Sequence, residues 1–357
     1  MARIQFILKA RENPFTDEAP PDGVKKKFLS SGLLNSASFV MNMLKDMGHT
    51  VQLDHALDNN CIDRLVTGFK PEIAIIEAYW VVPEKFEVLT KLHPKIKWVI
   101  RNHSALPFLA NEGMAMDWSL RYMDYKNVFL CSNDFRTDVE MCDMISIYKG
   151  WSKEETRRRV SLLSNYYPET FRARETKQKG EFVDLACFGA LRPLKNHLIQ
   201  AVAAVQYAEQ HNQKLRFHIN GTRMEMKGEP IARNLTKFFE ILPKHELVQH
   251  PWRDHADFCE TLRDMDVAMQ VSYTETFNIV SADAVVNDVP VITSSDIVWV
   301  DKMFHADPNC SVSIKKAIDR AITWAENPNH SNLNRSGLHE FNVKSMKLWK
   351  DFVAANT

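Results

Sequence analysis

Residues Tyr273–Thr293 read YTETFNIVSADAVVNDVPVIT. The segment follows one apolar run, DVAMQV, and leads into another, PVITS, so it reads as strand, turn, helix, strand. A turn from a strand into a helix leaves backbone N–H groups unpaired, and together with the helix dipole they favour a phosphate. Thr276, Phe277 and Asn278 are the residues expected to supply them. Glu275 stands just before the turn and Asp283 eight positions later, about two turns into the expected helix and on a similar face. Two carboxylates are thereby aimed at one crevice.

Working outward, short apolar runs alternate with longer helical patterns along the whole chain, the signature of parallel sheets built from strand-helix-strand units. In the first half the expected strands are IQFIL, TVQL, EIAII, KWVI, NVFLC and VSLL. Between the first two, Leu33, Leu34, Ala37, Val40, Met41, Leu44 and Met47 fall at helical spacing, with Gly48 placed to end the helix. The second half offers VDLACFG, LRFHING, LVQH, DVAMQV and PVITS. Between the halves, FRARETKQKGEF is polar and lacks periodicity, as a linker does. The reading is α/β: two Rossmann-like, doubly wound parallel-sheet domains, residues 1–172 and 173–335, with ligands bound at the carboxyl ends of the strands. Residues 336–357 form a last helix, placed to pack back on the first domain through Leu338, Phe341, Met346, Leu348, Trp349 and Phe352.

A second informative turn is Gly189–Asn196, GALRPLKN, which follows VDLACF and opens a helix. It places Lys195 as a compact cation and Arg192 as a forked one where a phosphate would lie. In the first half KWVI ends in Arg101-Asn102-His103-Ser104, which sets His103 just past a strand end. Lys27–Gly32 precedes the first long helix.

These segments resemble the large family of retaining GT-B glycosyltransferases that use nucleotide sugars. Tyr273–Thr293 resembles the family's E-x7-E motif, with aspartate in place of the second glutamate. The resemblance gives Glu275 the hydroxyls of the donor sugar and Asp283 the ribose. GALRPLKN resembles the family's phosphate turn, with Ala190 where an arginine is usual, Arg192 two places on, and Lys195 at the lysine position. It implies Gly189, Arg192 and Lys195 at the donor pyrophosphate, where fixed positive charge stabilises the leaving group, Gly32 in a loop near donor phosphate and acceptor, and His103 near acceptor and donor sugar. Arg223, after LRFHING, and Trp252, after LVQH, occupy loops where the nucleotide base is held. The resemblance covers Val183–Ser295 best and implies a metal-independent hexosyl- or pentosyltransferase with no cofactor besides a nucleotide-sugar co-substrate, UDP-sugar being the expected donor.

The acceptor is less legible. IIEAYWVVPEKFEVLTKLHPKIKWVIRNHSALPFLANEG resembles glycosyltransferase-like proteins of bacteriophages, some of whose relatives modify hydroxymethylated bases in DNA. Lys25–Lys27, Arg157–Arg159, Arg172 and Arg174 are the candidates for a phosphate-tracking strip. A cell-surface glycan, a lipid-linked sugar and a small molecule remain alternatives, and a nucleotide-sugar epimerase or a non-catalytic sugar-nucleotide binder would share the architecture.

Composition bounds these readings. The 357 residues carry 45 basic and 45 acidic side chains, so no net field draws the chain to a polyanion or an anionic membrane. Apolar residues make up 45 % and charged ones 25 % of the chain, the mix of a folded globular protein. The six cysteines show no C-x-x-C pair and read as reduced core thiols; no metal ligand set is apparent. No apolar run is long enough to span a membrane, so a cytoplasmic protein is expected, in the host cytoplasm if a phage encodes it.

Overall fold

The computed structural model describes residues 1–10, 31–174, 180–327 and 332–357. They divide into two compact units, one of residues 1–167 and 342–357, the other of residues 168–341.

The first unit holds β1 (Arg3–Lys9), β2 (Thr50–Ala56), β3 (Ile73–Glu77), β4 (Lys97–Asn102), β5 (Val128–Ser132) and β6 (Val160–Leu162). They pair in parallel in the order β2-β1-β3-β4-β5-β6. Side chains alternate between two helical layers, as the two-residue period requires. Ile4, Phe6 and Leu8 point into one core with the helix Gly32–Asp46 and Trp349, while Ile7, Ile76, Trp98 and Ile100 point into the other. Both faces are covered, so the strands read as nearly continuous apolar runs.

The second unit holds β7 (Phe182–Cys187), β8 (Lys214–Ile219), β9 (Glu246–Gln249), β10 (Val267–Gln270) and β11 (Val291–Thr293), parallel in the order β11-β10-β7-β8-β9. Each of the eleven expected strands is present. The chain winds from β7 outward to β9, then returns to β10 on the other side of β7. The order therefore reverses between β7 and β10, and the loops leaving these two strands flank the point where an open α/β sheet receives its ligand.

The helix Gly32–Asp46 starts at an N-cap Ser31, whose hydroxyl accepts from the Leu34 N–H at 3.2 Å, and Gly48 follows its end at φ +89°. The last helix, Asn332–Asn356, begins four residues before the expected start. Its packing also departs from the apolar stripe, because Met346 is exposed. The buried positions in the first unit are Asn342, Ser345, Trp349, Phe352 and Val353. Asn342 bonds both the N–H and the carbonyl of Tyr167, at 3.1 and 2.7 Å, and Ser345 and Trp349 both donate to the Ser164 carbonyl at 2.9 Å. A hydrophobic pattern misses a face of this kind, since two of its members are polar groups that satisfy an irregular backbone.

Candidate donor site

In the second unit the loop after β7 makes an open turn at Gly189, whose φ of +116° excludes most side chains although space is available, the nearest atom to an added Cβ being 3.9 Å away. Its N–H donates to Asn220 Oδ1 at 2.8 Å. The chain then forms one 3-10 turn, Pro193–Lys195, and Asn196 enters a left-handed conformation to start the helix His197–Gln210. Asn196 anchors this turn by donating to the carbonyls of Val271 and Pro308 at 3.0 and 2.8 Å.

The loop after β10 is fastened to that turn. The Tyr273 N–H donates to the Leu194 carbonyl at 3.0 Å, and Gln200 joins the Lys195 carbonyl to the Val271 N–H at 2.9 and 3.0 Å. Gln270, the last residue of β10, donates to the Phe188 carbonyl and accepts from Asn278, both at 3.0 Å. Held in this way, Lys195 and Glu275 meet in a direct ion pair, with only 10 % and 9 % of their side-chain surfaces exposed. Asp296 fixes the acid from behind by accepting the Glu275 N–H at 3.1 Å. The two residues taken from separate motifs thus occupy one place, at the reversal point of the sheet.

Asn278, at φ +58°, caps the helix Ile279–Val286 by accepting from the Ser281 N–H at 2.9 Å. Thr276 is half-buried. The Phe277 ring is core, 2 % exposed against Trp299 and Phe341, and its carbonyl accepts from the Trp299 indole at 2.8 Å. Asp283 lies little more than one turn into the helix and not two, because the turn takes up Thr276 to Asn278 before the helix begins. Its carboxylate is buried and bonded to His255 Nε2 at 2.6 Å; desolvation lowers the imidazole, but Asp283 and Cys259 together outweigh it and raise the ring to about 10. His255 also sits 3.7 Å from Cys259 Sγ.

Arg192 and Arg223 converge on Glu225, at 3.6 and 2.7 Å, and Arg223 lies over the Trp252 ring at 4.1 Å. The loops that carry them are bridged at Leu191 and Met224. A Cβ at Gly228 would come within 2.2 Å of the Leu191 carbonyl oxygen, so only glycine permits this approach.

In the first unit the carboxyl ends of β3 and β4 hold a second polar cluster. Arg101, fully buried, donates to Glu77 at 3.0 Å and to Asn165 at 2.6 Å, and lies 5.3 Å from the Trp349 ring centroid. His103 bonds the other oxygen of Glu77. Burial pushes the His103 imidazole down and the neighbouring Arg101 cation adds to this, outweighing Glu77. Glu77 stays below the usual carboxylate range, because Arg101 and His103 together overcome its desolvation. Ala78, beside it, has φ +65°, a conformation that costs an alanine about 1–2 kcal/mol, and its N–H is held by the Arg101 carbonyl at 3.0 Å. Gly32 opens the helix Gly32–Asp46, while Lys27–Ser30 lie outside the described residues.

Sequence reasoning missed Glu77, Arg101, Gln200, Glu225, His255, Gln270 and Asp296. For Glu77, Arg101 and Gln270 the available signal was a polar residue at or near the end of an apolar strand, as in AIIE, WVIRN and VAMQ; the other four carry no such signal. The described arginines among the candidates for a phosphate-tracking strip have partners within the chain. Arg157 pairs with the buried Asp138, Arg158 with Glu154 at 3.0 Å, and Arg159 donates to the carbonyls of Val128 and Tyr125 at 2.6 and 2.7 Å. Arg172 pairs with Glu260 at 2.8 Å and Arg174 approaches Asp266 at 4.0 Å. Lys25–Lys27 lie outside the described residues. The run Arg157–Arg159 is therefore not a row of three cations facing solvent. Among the described residues no helix is long and apolar enough to cross a membrane.

Residues 152–297 match the family model described as Family 4 Glycosyltransferase in conflict systems, a stretch that contains both GALRPLKN and Tyr273–Thr293. No curated protein matches the chain. Among solved structures, the α,α-trehalose 6-phosphate synthase of Burkholderia multivorans aligns at TM-score 0.69 and 12 % identity, over 100 % of this chain and 96 % of that one. The sucrose-phosphate synthase of Thermosynechococcus elongatus aligns at TM-score 0.65 and 11 % identity, over 99 % and 100 %. The Anabaena protein HepE, solved in complex with UDP, aligns at TM-score 0.59 and 11 % identity, again over 99 % and 100 %. The two parallel-sheet units have the GT-B fold.

Proposed function

We propose that this chain, a GT-B fold with a family 4 glycosyltransferase match over residues 152–297, is a metal-independent, retaining glycosyltransferase. It would move a sugar from a nucleotide-sugar donor to an acceptor hydroxyl. The observation that supports this most is the Lys195–Glu275 pair at the reversal point of the second sheet, inside the matched stretch. On donor binding the pair opens: Lys195 turns to the pyrophosphate and Glu275 to hydroxyls of the sugar, so each charge exchanges one partner for another. Backbone groups at Thr276–Asn278 and the helix dipole add to the phosphate field, with Arg192 as a second cation. Asp283 takes the ribose, and Arg223 and Trp252 the base. UDP-sugars are the first donors to test, since a fold relative was solved with UDP.

The anomeric C–O bond to the diphosphate breaks as negative charge develops on the leaving group, which Lys195 stabilises. The acceptor oxygen bonds to the same face of the anomeric carbon and gives its proton to the departing diphosphate. His103, kept neutral by its burial and the Arg101 cation and oriented by its bond to Glu77, hydrogen-bonds the sugar being transferred. For the acceptor we propose the hydroxymethyl group of a modified pyrimidine in DNA, with the base flipped out of the duplex. Incubation with a panel of nucleotide sugars and hydroxymethylated DNA, followed by mass analysis of the nucleosides, tests both steps. A gain of one sugar on the hydroxymethylated base alone is expected. Transfer only to a glycan or small alcohol rejects the DNA acceptor and keeps the transferase, and no transfer to any acceptor rejects both.

A further inference from the structure

We propose that His255, Cys259 and Asp283 form a binding site for a thiophilic divalent cation of the Zn²⁺ class. His255 and Cys259 stand one turn apart on the helix His255–Arg263, which sets them on one face. Asp283 comes from the helix Ile279–Val286, packed alongside. One ligand atom from each of the three lies within 4.8 Å of the others. Imidazole nitrogen and thiolate sulfur favour zinc over magnesium or calcium, and zinc also accepts carboxylate oxygen.

The distances favour the assignment. Zinc–nitrogen and zinc–sulfur bonds at a tetrahedral angle set their donors about 3.5 Å apart, and His255 Nε2 lies 3.7 Å from Cys259 Sγ. The carboxylate, now hydrogen-bonded at 2.6 Å, must withdraw by roughly 0.7 Å for the ion to enter. Asp283 and Cys259 are buried, while 29 % of the His255 side chain is exposed, so the ion has a path from solvent. Charge balances: one dication enters, and the proton shared by His255 and Asp283 and the thiol proton leave to water, giving a neutral site suited to burial. Two acidic ligands and one neutral ligand leave a fourth position for water.

Titration of the full chain with Co²⁺ tests the site. A thiolate-to-cobalt charge-transfer band and the strong visible absorption of tetrahedral cobalt should saturate at one equivalent and disappear when Zn²⁺ is added. Cys259→Ser should abolish the charge-transfer band, and His255→Ala should weaken binding about tenfold or more. If Cys259→Ser does not fold, as judged by circular dichroism, His255→Ala at its partly exposed position decides. Absence of the band, or a band unchanged in the decisive variant, overturns the proposal. A bound ion would also occupy Asp283, so Zn²⁺ should inhibit transfer. That consequence rests on the donor reading above, whereas the cobalt spectrum does not, so the two can fail separately.

Discussion

At the scale of single residues, the Lys195–Glu275 pair separates stability from chemistry. Removing one partner of a nearly buried pair leaves the other charge uncompensated, a loss of about 3–5 kcal/mol when burial is complete and less at the roughly one-tenth exposure found here. Lys195→Ala should lower transfer by about 10²–10³, measured as nucleotide release with acceptor present. Glu275→Gln should also abolish transfer yet bind the free nucleoside diphosphate more tightly, because it releases Lys195 from its partner; calorimetric titration reads this directly. Equal weakening of nucleotide binding by both variants would contradict the exchange of partners. Two histidines, His197 buried and His250 half-buried, weaken stability in acid. His197 is pushed down to about 3 and His250 to about 4 by desolvation, helped by neighbouring cations at His197 and by His218 and Arg253 at His250. Unfolding exposes imidazoles that titrate near 6.5, so the unfolded chain binds more protons below that pH. The contribution of these two groups should therefore be complete above about 6.5 and fall as the pH drops toward 3. His255 acts oppositely: raised to about 10, it contributes stability that is present below about 6.5 and lost as the pH rises through 10. Thermal melts across pH should show both limbs, and His197→Phe should shallow the acid one.

At the scale of elements, the last helix offers the sharpest test of packing. Trp349 is fully buried against Phe6, and Trp349→Ala should cost about 3–5 kcal/mol. Asn342→Ala leaves the Tyr167 N–H and carbonyl without their partner and should cost about 1–3 kcal/mol. Urea unfolding measures both, and a neutral Asn342→Ala would refute the claim that a polar side chain anchors this helix. The same helix marks the limit of what the sequence discloses. Strands were legible because both faces of each parallel sheet are covered, which writes every strand as an apolar run. The two donor turns were legible because glycine, lysine and acid fall at fixed offsets from such runs. A side chain that satisfies distant backbone, such as Asn342 or Gln200, leaves no periodic trace. Nor does the His255–Asp283 contact, whose members are separated by 28 positions and joined only by the packing of two helices.

At the scale of the whole molecule, balanced charge and internally paired arginines bear on the acceptor. Arg157→Glu would face the buried Asp138 with a like charge, so it should lower the melting temperature. Arg158→Glu, at an exposed i,i+4 pair, should change stability by less than about 0.5 kcal/mol. If either variant weakens binding to hydroxymethylated DNA with its melting temperature intact, the run does contact phosphates; otherwise DNA recognition falls to other residues. Transfer should survive excess chelator, because Lys195 and a helix N-terminus supply the counter-charge for the pyrophosphate, and loss of activity that metal restores would contradict this. The most direct measurement is sugar transfer itself, followed by mass spectrometry with a UDP-sugar panel and hydroxymethylated DNA, glycan and simple alcohol acceptors, for the native chain beside Lys195→Ala. One sugar should be added to an acceptor by the native chain, with a product yield lower by about 10²–10³ in the variant. Transfer undiminished in Lys195→Ala, or no transfer from any donor to any acceptor, would contradict this.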